Sequence, residues 1–142
     1  MKAESILILI FIVFAIIILV GFYIMGKAAL SVFPDIKTVN VKYRDLAASG
    51  YSTTSLVTKM GGARNVLDIV VTDTELWLKS MVLFAGIGQQ YDLLHKIPLN
   101  KIVKVEKIGR KVQIDFQTKA EEDKQVVLIT KKPDALIQNL KR

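Results

Sequence analysis

Residues 6–25 read ILILIFIVFAIIILVGFYIM, a run of twenty positions without a charged side chain. Sixteen of these residues are Ile, Leu, Val or Phe. As an α-helix the run is about 30 Å long, which matches the hydrocarbon core of a bilayer. It therefore predicts a transmembrane helix over residues 6–26, preceded by a short tail of residues 1–5.

Two other interpretations of this run stay open, a cleaved signal peptide and a buried helix of a soluble core. Gly26-Lys27-Ala28 has the small-x-small form that signal peptidases accept, but the run exceeds the usual apolar region of about 7–15 residues. Self-association of the helix has little support, because Gly21 and Gly26 lack the spacing of a small-xxx-small interface.

The flanking charges predict how the helix is oriented. The amino side carries Lys2 and the α-amino group, whereas the carboxyl side carries Lys27, Lys37, Lys42 and Arg44. Because the more basic flank stays in the cytoplasm, we expect the N-terminus outside and the rest of the chain in the cytoplasm.

The remaining sequence reads as a linker over residues 27–35 and one domain over residues 36–142. Val112, Ile114 and Phe116 alternate with polar residues, which is typical of a half-buried strand. A helical turn is expected at 45–49 and a C-terminal helix from Pro133, a residue suited to a first helical position. Other strands are expected at 36–43, 51–58, 66–71, 75–79, 81–85, 90–97, 101–108 and 125–130. The prediction is a mainly β domain built as an antiparallel meander.

Four segments of this domain resemble the GRAM and bacterial PH-like pattern. They are Val70–Leu78 (VVTDTELWL), Lys96–Ile102 (KIPLNKI), Lys111–Phe116 (KVQIDF) and Pro133–Ile137 (PDALI). The resemblance covers residues 62–140, while residues 37–61 depart from it. It implies a PH-like antiparallel sheet or partial barrel with one C-terminal helix. Such families include phosphoinositide binders and protein-binding adaptors, so the resemblance also implies a binding role.

Catalytic and metal-binding residues are scarce in this sequence. His95 is the one histidine and there is no cysteine, so no zinc site is expected. Glu121-Glu122-Asp123 lacks the spaced ligands and glycine of a calcium loop, and a solvated hairpin tip is expected instead. We expect no enzyme activity, cofactor or metal.

Cations supply the strongest functional signal. A stretch of sixteen residues with one acid, Glu106, holds Lys96, Lys101, Lys104, Lys107, Arg110 and Lys111. On a tethered domain these groups would attract anionic lipid head groups, and the alternative is a solvated sheet face. Lys59 and Arg64 flank Gly61-Gly62 and predict a second anion site. No aromatic-basic motif accompanies the charge, so nucleic acid is not an expected partner.

Trp77 should lie on the strand face opposite Leu76 and Leu78. An exposed Trp77 would be available to a protein partner or the bilayer interface, and packing under the C-terminal helix is the alternative. The sequence as a whole predicts a membrane-anchored, non-catalytic binding module, an adaptor or small subunit at the cytoplasmic membrane face. Its expected partners are the bilayer, anionic lipid head groups and a protein. The alternative is a phospholipid or phosphoinositide recognition domain that uses the basic face.

Overall fold

An apolar helix precedes a β-rich domain in the computed structural model, which describes residues 2–141. The helix, α1, spans Ala3–Leu30. Its most apolar window has a mean hydropathy of 3.3, and no residue of that window is buried. By length and composition α1 can cross a bilayer, a property that membrane spans share with N-terminal signal sequences.

The start of the domain differs from the expected boundaries. The helix continues four residues past Gly26, and the chain then makes a 3₁₀ turn at Ile36–Thr38. The first strand begins at Val41, so the strand expected over residues 36–43 is mostly linker. The side chain of Asp35 accepts a hydrogen bond from the Lys37 amide, and this contact favours the turn over an extended backbone.

Within residues 2–141, seven strands form one antiparallel sheet in the order β4-β3-β2-β1-β7-β6-β5. The strands are β1 Val41–Ser52, β2 Ala63–Thr72, β3 Glu75–Ser80, β4 His95–Pro98, β5 Ile102–Ile108, β6 Lys111–Gln117 and β7 Asp123–Ile129. Three further helices are α2 Leu56–Gly61, α3 Val82–Gln90 and α4 Pro133–Leu140. This confirms the expected class, a mainly β domain that follows an apolar helix and ends in a C-terminal helix.

Strand β1 is the longest strand and joins the two halves of the sheet. Its pairs with β2 run from Val41 to Gly50, and those with β7 run from Ser49 to Ser52. The register with β2 shifts between Asp45 and Ala48, as at a β-bulge. The helical turn expected at residues 45–49 is therefore wrong, and the strand expected at 51–58 ends at Ser52.

A buried carboxylate fixes β1 to the chain between β7 and α4. Asp45 accepts hydrogen bonds from Thr130 Oγ1 (2.7 Å), the Lys131 amide (3.1 Å) and the Ala47 amide (3.2 Å). Tyr43 bonds the same Thr130 hydroxyl. Burial opposes ionisation of Asp45, but these hydrogen bonds outweigh it, so its pKa lies below the ordinary value.

Helix α3 replaces strands that the sequence predicted. Residues 82–85 of the strand expected at 81–85 belong to this helix, and the strand expected at 90–97 is reduced to β4. A short apolar run has no periodicity that separates strand from helix. In this chain, packing against α1 favours the helical conformation of the run.

The two faces of the sheet are covered differently. Side chains of the inner face, such as Leu76, Leu78 and Ile114, form the core together with Leu136 of α4. On the outer face, Trp77 of β3 is fully buried under the linker, where its ring lies 6.1 Å from the ring of Phe33. The linker is therefore part of the folded domain.

The C-terminal end of α1 packs directly on α3. Gly26 is buried, and a Cβ atom at this position would overlap the carbonyl oxygen of Val82. A Cβ atom at Gly86 would lie 3.4 Å from the Cβ of Met25. Small residues allow two helix backbones to approach closely, so these glycines define the contact between α1 and the domain.

Replacing Gly26 tests this contact. We expect Gly26→Ala to push α1 away from Val82, because overpacking of this kind typically costs about 1–3 kcal/mol. Trp77 is the one tryptophan of the chain and reports the change directly. Its emission should shift to the red and become quenchable by acrylamide as Phe33 moves away.

Gly21→Ala is the matched control, because a Cβ atom at this position meets nothing within 4 Å. Both variants gain the same helix propensity, about 1 kcal/mol. Equal Trp77 emission in the two variants would show that Gly26 does not hold α1 against the domain.

Candidate functional site

Strand β5 carries the middle of the predicted basic stretch and lies at an edge of the sheet. It pairs with β6 on one side, and no backbone hydrogen bond from its other side reaches any residue in the described part of the chain. An unpaired strand edge can accept a strand from another protein. Val103 is 69% exposed and Ile108 is 53% exposed on this strand. The sequence analysis did not identify this edge.

The six predicted cations do not share one face. Lys107 lies on the side of β5 that meets α4, where it contacts Asp134, whereas Lys104 lies on the opposite side next to Glu106. Lys96 lies on β4, at the other end of the strand order. The single basic face expected from the sequence is therefore wrong. Contact between these side chains and lipid stays a prediction.

Half of these cations have carboxylate partners. The ion pairs join Lys96 to Glu75 at 3.7 Å, Lys104 to Glu106 at 2.9 Å and Lys107 to Asp134 at 2.8 Å. The Glu106 carboxylate, through its hydrogen bond, raises the pKa of Lys104. The two exposed pairs, Lys104–Glu106 and Lys107–Asp134, are of a kind that contributes little to stability.

The other cations lie at the start and the end of β5. Arg110 and Lys111 are exposed at the β5–β6 turn, and Lys101 is half-buried in the 3₁₀ turn before the strand. Among residues 2–141 none of these three forms an ion pair with a carboxylate. The ammonium group of Lys111 lies 5.7 Å from the centre of the Tyr51 ring. The uncompensated positive charge therefore concentrates around the ends of β5.

Lys59 and Arg64, the second predicted anion site, lie near the Lys111 end of the basic stretch, because Tyr51, which Lys111 contacts, lines the same groove. Lys59 is on α2 and Arg64 is near the start of β2, and both are exposed. They line one groove together with Gly61 and Gly62. The structure thus brings this pair together as the sequence predicted, although binding of an anion stays a prediction.

Trp77 is not a surface residue. The side chain lies on the face opposite Leu76 and Leu78, as expected, but the linker covers it and none of it is exposed. Its Nε1 donates a hydrogen bond of 2.8 Å to Glu75, and Lys79 lies 5.9 Å from the ring centre. Both expectations, an exposed partner contact and packing under the C-terminal helix, are therefore wrong for this residue.

Asp92 is the centre of a polar cluster that the sequence analysis missed. Its carboxylate accepts hydrogen bonds from Lys124 Nζ (2.7 Å), Thr54 Oγ1 (2.7 Å) and Ser52 Oγ (3.0 Å). His95 Nε2 donates to the main-chain oxygen of Asp92 at 2.7 Å and lies 3.3 Å from its carboxylate. The cluster joins the segment before β4 to the ends of β1 and β7, which are distant in sequence.

Other residues weighed for function have structural surroundings. The ring of His95 packs edge-on against Phe116, with the ring centres 5.1 Å apart. Glu121 and its acidic neighbour Glu122 lie in the β6–β7 turn, and Asp123 accepts a hydrogen bond from Gln117 across it. The hairpin tip expected there is confirmed. Within the described range 2–141, no three His, Cys, Asp or Glu side chains converge to hold a metal ion.

No protein-family model matches this chain, and no curated protein matches it. The resemblance to GRAM and PH-like domains therefore stays a prediction that rests on the quoted segments. The architecture stands independently of it, because strand order and pairing come from the structure.

The Asp92 cluster makes stability depend on pH. Burial opposes ionisation of Asp92, but hydrogen bonds from His95, Lys124 and Thr54 outweigh it, and its pKa lies well below the ordinary value. A depressed pKa in the folded state stabilises the fold above the unfolded-state pKa of about 3.9 and loses that contribution as the pH falls further. Stability should therefore decrease as the pH is lowered below about 4.

Asp92→Asn should remove the contribution of Asp92 to this dependence, while the contribution of Asp45 remains. We expect the variant to lose about 1–3 kcal/mol at neutral pH, since Lys124 and the hydroxyl groups lose a charged acceptor. The difference from the wild type should shrink at acidic pH. Urea unfolding of the full chain in detergent, followed by Trp77 emission, measures both effects. Glu122→Gln, at an exposed turn, is the control, and equal losses in the two variants would contradict this role for Asp92.

Proposed function

We propose that this chain is a membrane-anchored, non-catalytic binding module that acts as an adaptor or small subunit at the cytoplasmic face of a membrane. In this proposal α1 crosses the bilayer with the N-terminus outside, and the β domain recruits a protein through β5. The domain is of the GRAM or PH-like type. The unpaired edge of β5 is the observation that carries the proposal.

The packing of α1 supports a permanent anchor. Gly26 is buried against Val82, and Phe33 covers Trp77, so the end of the helix and the linker belong to the folded domain. Cleavage after Ala28 would remove the first of these contacts and leave α3 without its partner helix. A retained α1 therefore agrees with the packing better than a cleaved signal peptide does.

The chemistry of β5 indicates the kind of partner. Its free edge offers backbone hydrogen bonds, while Val103 and Ile108 offer apolar contact. Lys101, Arg110 and Lys111 surround the edge with uncompensated positive charge. An extended protein segment with apolar and acidic side chains would satisfy all three features.

Recognition of phospholipid or phosphoinositide is the second candidate. The exposed pair Arg110 and Lys111 at the tip of the β5–β6 turn favours it, since a tethered basic turn can reach anionic head groups. This candidate uses the same cations but needs no strand edge.

One crosslinking experiment separates the two candidates. The chain has no cysteine, so Ile108→Cys provides a unique site for a thiol-linked photoreactive group. After illumination of native membranes, the adaptor proposal expects protein adducts at this site. The lipid candidate instead expects lipid adducts that require anionic lipid and decline between about 0.1 and 0.5 M salt.

Two sets of variants complete the design. Lys119→Cys, exposed in the β6–β7 turn, is the control for the labelling site. When Lys104→Glu and Arg110→Glu are added together to the Ile108→Cys chain, the yield of adducts should fall. The pair Lys59→Glu and Arg64→Glu changes the net charge by the same amount and should leave the yield unchanged. Equal adduct yields at Ile108→Cys and Lys119→Cys would rule out β5 as the contact surface.

A further inference from the structure

An apolar cavity of about 220 Å³ lies between α3 and the start of β2. Phe84 and Ile87 of α3 form one wall, and Leu67 of β2 forms another. Tyr91 and Leu94, from the segment after α3, close its end. The lining is mainly apolar, and an apolar cavity of ~150 Å³ in another protein binds benzene.

The cavity opens at the protein surface. Phe84 is 44% exposed and Ile87 is 38% exposed, although both line the cavity. Helix α2 lies at the same end of the domain, because its last residue, Gly61, packs on the ring of Tyr91. The two helices expose a set of large apolar side chains, the α2–α3 apolar surface: Leu56, Val57, Met60, Leu83, Phe84 and Ile87. Exposed apolar groups of this number mark a contact with a membrane or a protein.

The position of α3 selects the membrane. Met25, the last residue of the apolar run, contacts Gly86, and Gly26 contacts Val82. If α1 spans the bilayer, α3 lies where the span ends, at the boundary between hydrocarbon and head groups. The inference therefore rests on the membrane anchor of the proposed function.

Positive charge adjoins the apolar cavity. The groove that Lys59 and Arg64 line shares Gly62, Ala63 and Arg64 with the cavity. Neither cation forms an ion pair within the described residues 2–141. An apolar cavity is thus continuous with two cations that lack a carboxylate partner among the described residues, which is an arrangement that suits an anionic amphiphile.

We propose that the cavity holds part of one acyl chain of an anionic phospholipid from the bilayer, with its phosphate between Lys59 and Arg64. The acyl chain enters between Phe84 and Ile87. The bound lipid then joins α2 to α3 and fixes the domain on the membrane. This site uses residues of α2, α3 and β2, whereas the proposed function places the protein partner on β5.

Photolabelling of the full chain in vesicles tests the site. The vesicles contain phosphatidylcholine and a small fraction of phosphatidylglycerol whose acyl chain carries a diazirine. Mass spectrometry should map adducts to α3 and to residues 91–94, in addition to α1. A phosphatidylcholine probe with the same acyl chain should label the cavity several-fold less, because it lacks net negative charge.

Two changes should abolish labelling of the cavity while α1 remains labelled. Gly88→Leu fills the cavity, since a Cβ atom there makes ordinary contacts of 3.5 Å with Ser80 and 3.7 Å with Leu94. Lys59→Glu with Arg64→Glu should reduce cavity labelling at least about tenfold. Lys104→Glu with Arg110→Glu alters the net charge equally and should not reduce it. Trp77 emission in each variant verifies the fold.

The possible results test the cavity proposal and the membrane-anchor proposal independently. If adducts form on α1 alone, the cavity proposal is wrong but the membrane anchor is supported. If no adducts form on α1, the membrane anchor is wrong. Cavity labelling that survives Gly88→Leu would also overturn the proposal. Equal labelling by the two probes would overturn its requirement for an anionic head group.

Discussion

The contact between α1 and α3 is the constraint on which the rest of the arrangement depends. Gly26 lets the backbone of α1 approach Val82 so closely that no side chain fits between them. From there the linker crosses the outer face of the sheet and covers Trp77 with Phe33. The helix and the sheet are therefore one packed unit, and a membrane around α1 would set the position of every surface of the domain.

This constraint fixes where the surfaces of the domain lie relative to α1. The α2–α3 apolar surface and its cavity lie at the end of the domain where α1 joins it, whereas β5 is an edge strand of the sheet. The Asp92 cluster keeps the two regions in a fixed relation, because it connects the segment after α3 to β1 and β7. Under the two proposals, lipid and protein would bind to different elements of the domain.

Local sequence patterns predicted much of the fold but less of the candidate functional site. Strands β5 and β6 and the helix beginning at Pro133 followed from alternation and from the position of proline. Helix α3 could not be predicted, because its apolar run lacks periodicity and its conformation depends on α1. The bulged part of β1 could not be predicted either, since its conformation depends on pairing with β2 and on hydrogen bonds to Thr130 and Lys131.

Functional surfaces depend even more on tertiary structure. Neighbouring cations of the basic stretch point to opposite sides of β5, which a charge count does not reveal. The Asp92 carboxylate accepts hydrogen bonds from Ser52 and Lys124, which lie about 30 to 40 positions away in sequence. The proximity of Lys59 to Arg64 was predictable, because a short turn joins α2 to β2.

Disulfide formation between α1 and α3 tests the central claim most directly. The chain has no native cysteine, and a Cβ atom at Gly86 would lie 3.4 Å from the Cβ of Met25, close to the separation of about 3.5–4.5 Å that a disulfide needs. Met25→Cys with Gly86→Cys should oxidise completely in membranes, with unchanged Trp77 emission, whereas Gly21→Cys with Gly86→Cys should keep both thiols free. Free thiols in the first pair, detected by maleimide labelling, would contradict the packing of α1 on the domain.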